Sequence, residues 1–280
     1  MALEDAARER WAGGTAIVTG AGSGIGRGMA RAAAAMGMAV VLADIDGERV
    51  ATVAAELTAR GAKAVSVPTD VSDFSSVERL ADVAFDEVGD VRLLANNAGV
   101  EQTSLLWEAS VTAWHRLMGV NLTGVYHGIR AFVPRLLDAG RPATIINTAS
   151  VASFTSGAYQ GMYQVSKRAV LALSESLASD LEAVNAPIQV SVAFPSAVDT
   201  AIFQAVAEEG GEAALGVLQS LRDLLADQGM DADVAGVIIL EAACSGRRWI
   251  STHPDDAAVF ATLARDHLAE IASALHDESS

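Results

Sequence analysis

A single cysteine, Cys244, among 280 residues excludes an intrachain disulfide and any cysteine-based metal cluster, and agrees with a reducing, cytoplasmic setting. Histidine is scarce too: His115, His127, His253, His267 and His276 show no HExxH or comparable ligand spacing, so no metal site is expected. Basic residues are few. With 19 Lys+Arg against 35 Asp+Glu the net charge is −16, and a chain this acidic repels phosphate backbones and anionic membranes. Neither nucleic acid nor a membrane is therefore an expected partner. Long apolar runs are also missing: the longest worth testing, Ala32 to Ala43, stops at Asp44, well short of the ~20 residues that span a bilayer. Glu4, Asp5, Arg8, Glu9 and Arg10 interrupt the stretch that a secretory signal would keep apolar. What the chain has in quantity is apolar side chains, 51% of the total, with a mean hydropathy of +0.31, enough for a large core.

Those apolar residues fall into a repeating order. Thr15–Thr19, Ala39–Ala43, Ala64–Val67, Val91–Ala95, Ala143–Asn147 and Ile188–Val192 read as strands, most of them near-continuously apolar, as strands covered on both faces are. Between them lie stretches of helical periodicity, such as Glu48 to Arg60 and Val77 to Val88. This alternation predicts an α/β fold with right-handed crossovers and a doubly wound parallel sheet. No linker interrupts it, so one domain is expected over 1–280, behind a short polar arm at 1–11. The alternation fails once. Residues 199–228, followed by Met230 to Cys244, are helical where a seventh strand is due, and that strand is deferred to Arg248–Ser251. An insertion at the carboxyl ends of the strands falls where such folds place their ligand crevice, so 199–228 is predicted to be a substrate lid; an ordinary pair of surface helices is the plainer alternative.

The run Thr19-Gly20-Ala21-Gly22-Ser23-Gly24-Ile25-Gly26 follows the first strand and opens a helix. Glycines there let backbone N–H groups approach a pyrophosphate, while the helix N-terminus adds partial positive charge. Glycines can equally make a plain tight connection, but a position between the first strand and first helix of a βαβ unit favours a dinucleotide. The second strand ends at Asp44, 44 − 26 = 18 residues past the last glycine and close to the ~20 at which an acidic residue meets the adenosine ribose. A carboxylate accepts from the 2′- and 3′-hydroxyls and repels a 2′-phosphate. No Arg or Lys sits inside the turn or next to Asp44 to offset that repulsion, since Ser23 and Ile45 occupy those places, so NAD is expected over NADP.

Tyr163-Gln164-Val165-Ser166-Lys167 starts a long helical stretch running to about Leu181, and the i,i+4 spacing sets a phenol and an ammonium on one face. A free tyrosine, with a pKa near 10, is a poor base at neutral pH; a neighbouring cation favours its phenolate. Ser150 ends the fifth strand and can donate to the substrate oxygen on which Tyr163 acts. Asn121 falls in mid-helix, where it reads equally as a packing residue satisfied by a backbone carbonyl.

Together these motifs resemble those of the short-chain dehydrogenase/reductase (SDR) family over about residues 12–252. Thr19 to Gly26 is similar to the family's TGxxxGxG cofactor loop, Asp70-Val71 to the pair beside the adenine, and Asn96-Asn97-Ala98-Gly99 to its NNAG element. Asn121, Ser150, Tyr163 and Lys167 match the family's Asn-Ser-Tyr-Lys tetrad in order, with 163 − 150 = 13 between serine and tyrosine. The resemblance implies a Rossmann-like fold, with Tyr163 as general acid/base and Ser150 orienting the substrate oxygen. Lys167 would hold the nicotinamide ribose and lower the Tyr163 pKa, and Asn121 would anchor a relay water. It also implies cofactor contacts at Gly20, Gly22, Ser23, Gly24, Ile25, Gly26, Asp44, Asp70, Val71, Asn97, Ala98, Gly99, Pro195, Val198 and Thr200. Two departures stand out: Ser196 and Ser153 replace the usual glycines after strand six and after the catalytic serine. The segment Thr252-His253-Pro254-Asp255 and the helical tail over 252–280 resemble a THPE-ending branch that includes dehydrogenases of lignin-derived aryl alcohols. The family implies homo-oligomers, tetramers or dimers, built on helices near 110–138 and 163–184; the tail offers a further packing surface.

Positions that would line the substrate pocket include Ser150, Tyr163, Glu101, Val151, Phe154 and Tyr159, with Phe203, Leu215, Leu218 and Leu221 of the lid. They are mostly apolar and lack an Arg/Lys cluster for a phosphate or carboxylate. The expected reaction is the NAD-dependent interconversion of a hydrophobic secondary alcohol, with aryl alcohols as the named candidates, and its ketone. Glu101 reads either as a contact to a hydroxylated substrate or as a solvated loop residue. An epimerase or dehydratase retaining NAD, or a non-catalytic dinucleotide-binding protein, would share the cofactor loop; the intact tetrad argues against the last.

Overall fold

The computed structural model describes residues 11–203 and 211–277. Seven strands form one parallel sheet: β1 (Thr15–Thr19), β2 (Ala39–Asp44), β3 (Ala64–Pro68), β4 (Val91–Asn96), β5 (Ala143–Thr148), β6 (Ile188–Phe194) and β7 (Trp249–Ser251). Their spatial order is β3-β2-β1-β4-β5-β6-β7, so the chain winds outward from β1 in one direction, then returns to β4 and winds in the other. The reversal between β1 and β4 opens a crevice at the carboxyl edge, because the connections after these two strands diverge to opposite faces. Every sequence-predicted strand is present, most of them one or two residues longer than the apolar run suggested. β5 is buried along its whole length, as is β1, which explains runs with little polar alternation.

Helices cover both faces. Helix α1 (Gly24–Ala35), α2 (Gly47–Ala59) and, much later in the chain, α8 (Ala232–Cys244) bury Met29, Ala33, Leu57 and Leu240 against Leu42 and Leu93. On the other face α3 (Phe74–Asp82), α5 (Gly124–Ala139) and α6 (Gly161–Ala183) bury Leu80, Phe132, Leu136 and Leu177 against Ile17, Leu94 and Ile145. The stretch read as one helix over Val77 to Val88 divides: α3 ends at Asp82 and a π-helical turn, Val83–Val88, continues it.

Two boundaries differ from the sequence reading. Trp11, assigned to the polar arm, is only 1% exposed and belongs to the core, its indole N–H donating to Thr144 Oγ1 of β5 at 3.3 Å. The remainder of the arm lies outside the described residues. Asn121 is not in a regular helix. It occupies a π turn, Gly119–Thr123, between α4 (Val111–Met118) and α5. Within 199–228, a short 3₁₀ turn at Ala201–Phe203 is followed by α7 (Glu212–Gln228), and 204–210 lie outside the described residues. The tail forms α9 (Pro254–Asp277).

Candidate active site

At the crevice the glycine run makes a turn that only glycine can make. Gly20 and Gly24 have φ of +67° and +50°, and a Cβ on Gly26 would stand 2.1 Å from the carbonyl oxygen of Gly20. The turn is locked to the loop after β4: Thr19 Oγ1 accepts from the N–H groups of Asn97 at 2.9 Å and Ala98 at 3.0 Å, and Asn97 Nδ2 donates to Thr19 O at 3.0 Å. Gly99 lies behind this lock, where an added Cβ would stand 3.5 Å from Lys167 Nζ and 3.6 Å from Asn121 Oδ1. Helices α2, α3 and α8 begin with Asp46, Asp73 and Asp231 accepting from their first amides, whereas Ser23 at the start of α1 makes no such bond. The positive end of α1 is thus uncapped by its own side chain, as an anion-binding helix requires.

Asp44 does not end its strand loosely in solvent. Its Oδ2 accepts from Gly22 N–H at 2.9 Å and its Oδ1 from Asp46 N–H at 3.0 Å, which holds the carboxylate at the rim of the turn. Arg49, one turn into α2, brings its Cβ to 3.1 Å from where a Gly22 Cβ would stand, and its Nε pairs with Asp46 Oδ2 at 3.0 Å. A five-residue separation across a helix start conceals that proximity.

Ser150, Tyr163 and Lys167 converge. Ser150 caps the 3₁₀ turn Val151–Phe154, accepting from Ala152 N–H at 3.1 Å and donating to Pro195 O at 3.4 Å. The Lys167 side chain is 3% exposed, passes 5.6 Å over the Tyr163 ring and donates to Thr148 O at 2.9 Å. Burial lowers Lys167 to about 8, opposed by the negative charge of Glu101. The phenol moves the other way from the sequence expectation. Burial, reinforced by Glu101, pushes Tyr163 well above its ordinary value, with a hydrogen bond to Ser150 opposing. The protein's own groups therefore favour the protonated phenol, because desolvation and the charge of Glu101 outweigh the hydrogen bond from Ser150.

The Asn121 side chain is fully engaged in structure. Its Oδ1 accepts from Val100 N–H at 2.8 Å, and its Nδ2 donates to Val100 O at 2.9 Å and Ser166 Oγ at 3.1 Å. It clamps the loop after β4 onto α6, so both amide hydrogens are committed to the scaffold. The Asp70 carboxylate is held at the surface, its Oδ1 accepting from Ser72 N–H and Oγ at 2.9 and 2.7 Å, while Val71 is buried against Gly124 and its carbonyl meets His127 Nδ1 at 2.9 Å. The Val198 side chain packs with Ile25, Met230, Ala232 and Ala235. Its parallel bridge to Met230 is made by the flanking Ala197 and Asp199, which turns Val198's own N–H and C=O to the opposite side. Thr200 reaches the turn directly, with its Cγ2 3.0 Å from where a Gly24 Cβ would stand.

The residues expected to line the pocket divide. Phe154 packs on Phe194 at 5.0 Å, and Tyr159 holds a left-handed φ of +67° while its carbonyl accepts from Ser104 N–H at 2.8 Å. Such a conformation in a non-glycine residue marks a constrained site. Phe203 and Leu218 instead pack together with Leu221 and Leu225 in a small core of their own, and Arg222 donates twice to Phe203 O, at 3.1 and 2.9 Å. Leu215 is exposed. Two features were not legible beforehand. Glu101 is buried rather than solvated, and Ser196 ties the loop after β6 to the tail, its Oγ donating to Asp256 Oδ2 at 2.7 Å. Among the described residues no cluster of His, Cys, Asp and Glu could hold a metal, and no helix is long and apolar enough to cross a membrane.

Comparison with known proteins gives consistent matches. A family model described as short chain dehydrogenase matches residues 14–210. A 1-deoxy-11-beta-hydroxypentalenate dehydrogenase from Streptomyces exfoliatus is 41% identical over 243 residues, covering 86% of this chain and 83% of the relative. A 2,5-dichloro-2,5-cyclohexadiene-1,4-diol dehydrogenase from Sphingobium indicum is 32% identical over 193 residues, 69% of this chain and 76% of the relative. Among solved structures, a short chain dehydrogenase/reductase from Burkholderia phymatum in complex with NAD is 37% identical with a TM-score of 0.86, covering 91% of this chain and 92% of that one.

Proposed function

The chain belongs to the short chain dehydrogenase family, an oxidoreductase family, and on that premise we propose that it interconverts a secondary alcohol and its ketone with NAD as hydride carrier. The observation that carries the reading is the convergence of Ser150, Tyr163 and Lys167 at the carboxyl edge, next to a glycine turn with no room for side chains. The two relatives' names, a hydroxypentalenate dehydrogenase and a cyclohexadiene-diol dehydrogenase, both denote dehydrogenation of an alcohol.

The cofactor fits residues present in this chain. The amides from Ser23 to Ile25 and the uncapped start of α1 would receive the pyrophosphate, Asp44 the adenosine ribose hydroxyls, Lys167 the nicotinamide ribose, and the backbone of Val198 with Thr200 the carboxamide. A chain of net charge −16 would thus hold an anion through local dipoles. Preference for NAD over NADP rests on Asp44, whose charge opposes a 2′-phosphate, while the guanidinium of Arg49 is paired with Asp46.

Bound NAD supplies the chemistry of hydride exchange at the alcohol carbon. The chain's residues manage the proton. In reduction, the protonated phenol favoured at Tyr163 donates to the carbonyl oxygen while Ser150 holds that oxygen by a hydrogen bond. In oxidation the same phenol oxygen takes the proton back, for which the ammonium of Lys167 and the positive charge of the oxidised ring must together offset its burial. With the Asn121 side chain committed to Val100 and Ser166, any relay from Lys167 to solvent runs past the backbone of the π turn.

We further propose a homo-oligomer, a tetramer or dimer, supported by exposed Val111, Trp114, Tyr126 and Val165 on α4, α5 and α6. Light scattering of the purified chain tests it, and a monomer refutes it. For the activity, NADH absorbance is followed with a panel of alicyclic and aryl secondary alcohols. Turnover that Tyr163→Phe abolishes with NAD binding retained is the expected result. Tight NAD retention with no alcohol oxidised overturns the dehydrogenase reading in favour of an epimerase or dehydratase.

A further inference from the structure

The loop after β4 places a carboxyl group beside the reacting residues that the Ser-Tyr-Lys chemistry does not use. Glu101 is 1% exposed. Its Oε1 accepts from the Gln102 N–H at 3.2 Å, and its Oε2 is buried without a hydrogen-bond partner. Thr103 Oγ1, two residues on, is also buried and unpartnered. The loop itself is not free to let these groups out. Val100 is clamped through both its N–H and its C=O to Asn121, and Ser104 N–H is tied to the carbonyl of Tyr159, the residue held at positive φ. Glu101 therefore sits on a short span fixed at both ends, within electrostatic reach of both Tyr163 and Lys167.

Buried polar atoms are almost always satisfied, and an exception inside a ligand crevice points to a group that arrives with the ligand. The ammonium of Lys167 does not fill the role, since it donates to Thr148 O at 2.9 Å instead. We infer that Glu101 is a specificity-determining residue whose free oxygen hydrogen-bonds a second hydroxyl of the substrate, so that the site selects a diol-type alcohol over a plain hydrophobic one. The inference rests on the secondary-alcohol reading above and gives that alcohol a second functional group. A hydroxyl matches the site because it both donates and accepts. Glu101 offers both partners in turn: burial raises its carboxyl from 4.5 to about 8, so near neutral pH the acid form has an O–H to give as well as an oxygen that accepts. An anionic substituent in the same place would meet repulsion from the ionised form. The predominantly apolar pocket expected from the sequence thus has a polar wall at residues 101–104, all four of them buried.

The test uses the full chain with NAD and matched substrates: 1,2- and 1,4-cyclohexanediol against cyclohexanol, and 1-phenyl-1,2-ethanediol against 1-phenylethanol. The parent is expected to favour at least one diol by about tenfold or more in kcat/KM over its mono-alcohol, since a site built to bond a hydroxyl discriminates against the analogue lacking it. In Glu101→Leu that ratio falls to within about twofold, mainly through KM of the diol, and Glu101→Gln, which can still donate and accept, restores part of it. A purely structural role would depress both substrates alike and leave the ratio in place. Absence of any diol preference in the parent, or a preference that survives Glu101→Leu, overturns the inference while leaving the alcohol reading intact. Oxidation of neither class overturns the alcohol reading and this inference with it. Should the leucine variant fail to fold, the parent's ratio and the glutamine variant decide: no preference in the parent refutes, and a reduced preference in Glu101→Gln supports.

Discussion

Replacing Glu101 by glutamine should make the protein more stable as the pH rises toward 8, relative to the parent. The structure holds this carboxyl at about 8 against an ordinary value of 4.5, with burial as the largest cause and the Gln102 amide and Lys167 opposing. A carboxyl whose folded pKa lies above its unfolded one keeps its proton longer in the folded state. Its penalty is therefore absent below about 4.5 and grows as pH rises to about 8, because over that window the folded protein binds more protons than the unfolded chain. Each tenfold displacement is about 1.4 kcal/mol, which sets a ceiling of about 5 kcal/mol and makes a few kcal/mol the realistic size. For a chain of this length that corresponds to a Tm difference of roughly 5–15 °C. Lys167 does not confuse the window. Its folded value is depressed to about 8 from 10.5, so its own contribution rises with pH only above about 8. The assay is thermal or urea unfolding of parent and Glu101→Gln at half-unit steps from pH 5 to 8, with the difference between the two curves as the readout. Repulsion within a chain of net charge −16 is nearly common to both and largely cancels. Parallel curves would refute the placement of Glu101 in a desolvated site.

Other perturbations follow from the same geometry. Asp44→Ala should narrow the preference for NAD over NADP by about tenfold or more, read from the two KM values, and a parent indifferent to the 2′-phosphate refutes the role given to Asp44. Gly26→Ala drives a methyl to 2.1 Å from Gly20 O and 2.6 Å from Asn97 Nδ2, so it should destabilise the chain by about 1–3 kcal/mol and abolish measurable NAD binding; unchanged binding by calorimetry is the contrary result. Ser196→Ala breaks the 2.7 Å bond to Asp256 and should cost about 1 kcal/mol in urea unfolding while loosening the tail, seen as faster proteolysis within 254–277. Identical proteolysis rates would show that the tail is held by packing alone.

Much of the fold was legible because it is written locally. Runs such as Thr15–Thr19 and Ala143–Thr148 are apolar throughout, which is the mark of strands covered on both sides, and the glycine run announced a turn with no room for side chains. Asn121 was harder to place, since a π turn differs from an α-helix by one inserted residue that periodicity over five positions does not resolve. Within 199–228, read from the sequence as a lid, Phe203 and Leu218 were expected to face substrate and instead pack on each other. An apolar side chain in sequence does not reveal which apolar partner it will find.

By itself the sequence determined the order of strands and helices, the positions of the glycine turn and of Ser150, Tyr163 and Lys167, and the family to which these belong, because each depends on residues within a few positions of one another. Only the tertiary structure decided the electrostatics: that Glu101 is buried beside Tyr163 and Lys167, that Arg49 stands against Gly22, that Ser196 meets Asp256, and that the phenol is pushed up rather than down. Desolvation and through-space charge are set by what the crossovers carry together from 60 residues apart, and nothing in the local pattern of the chain encodes that distance.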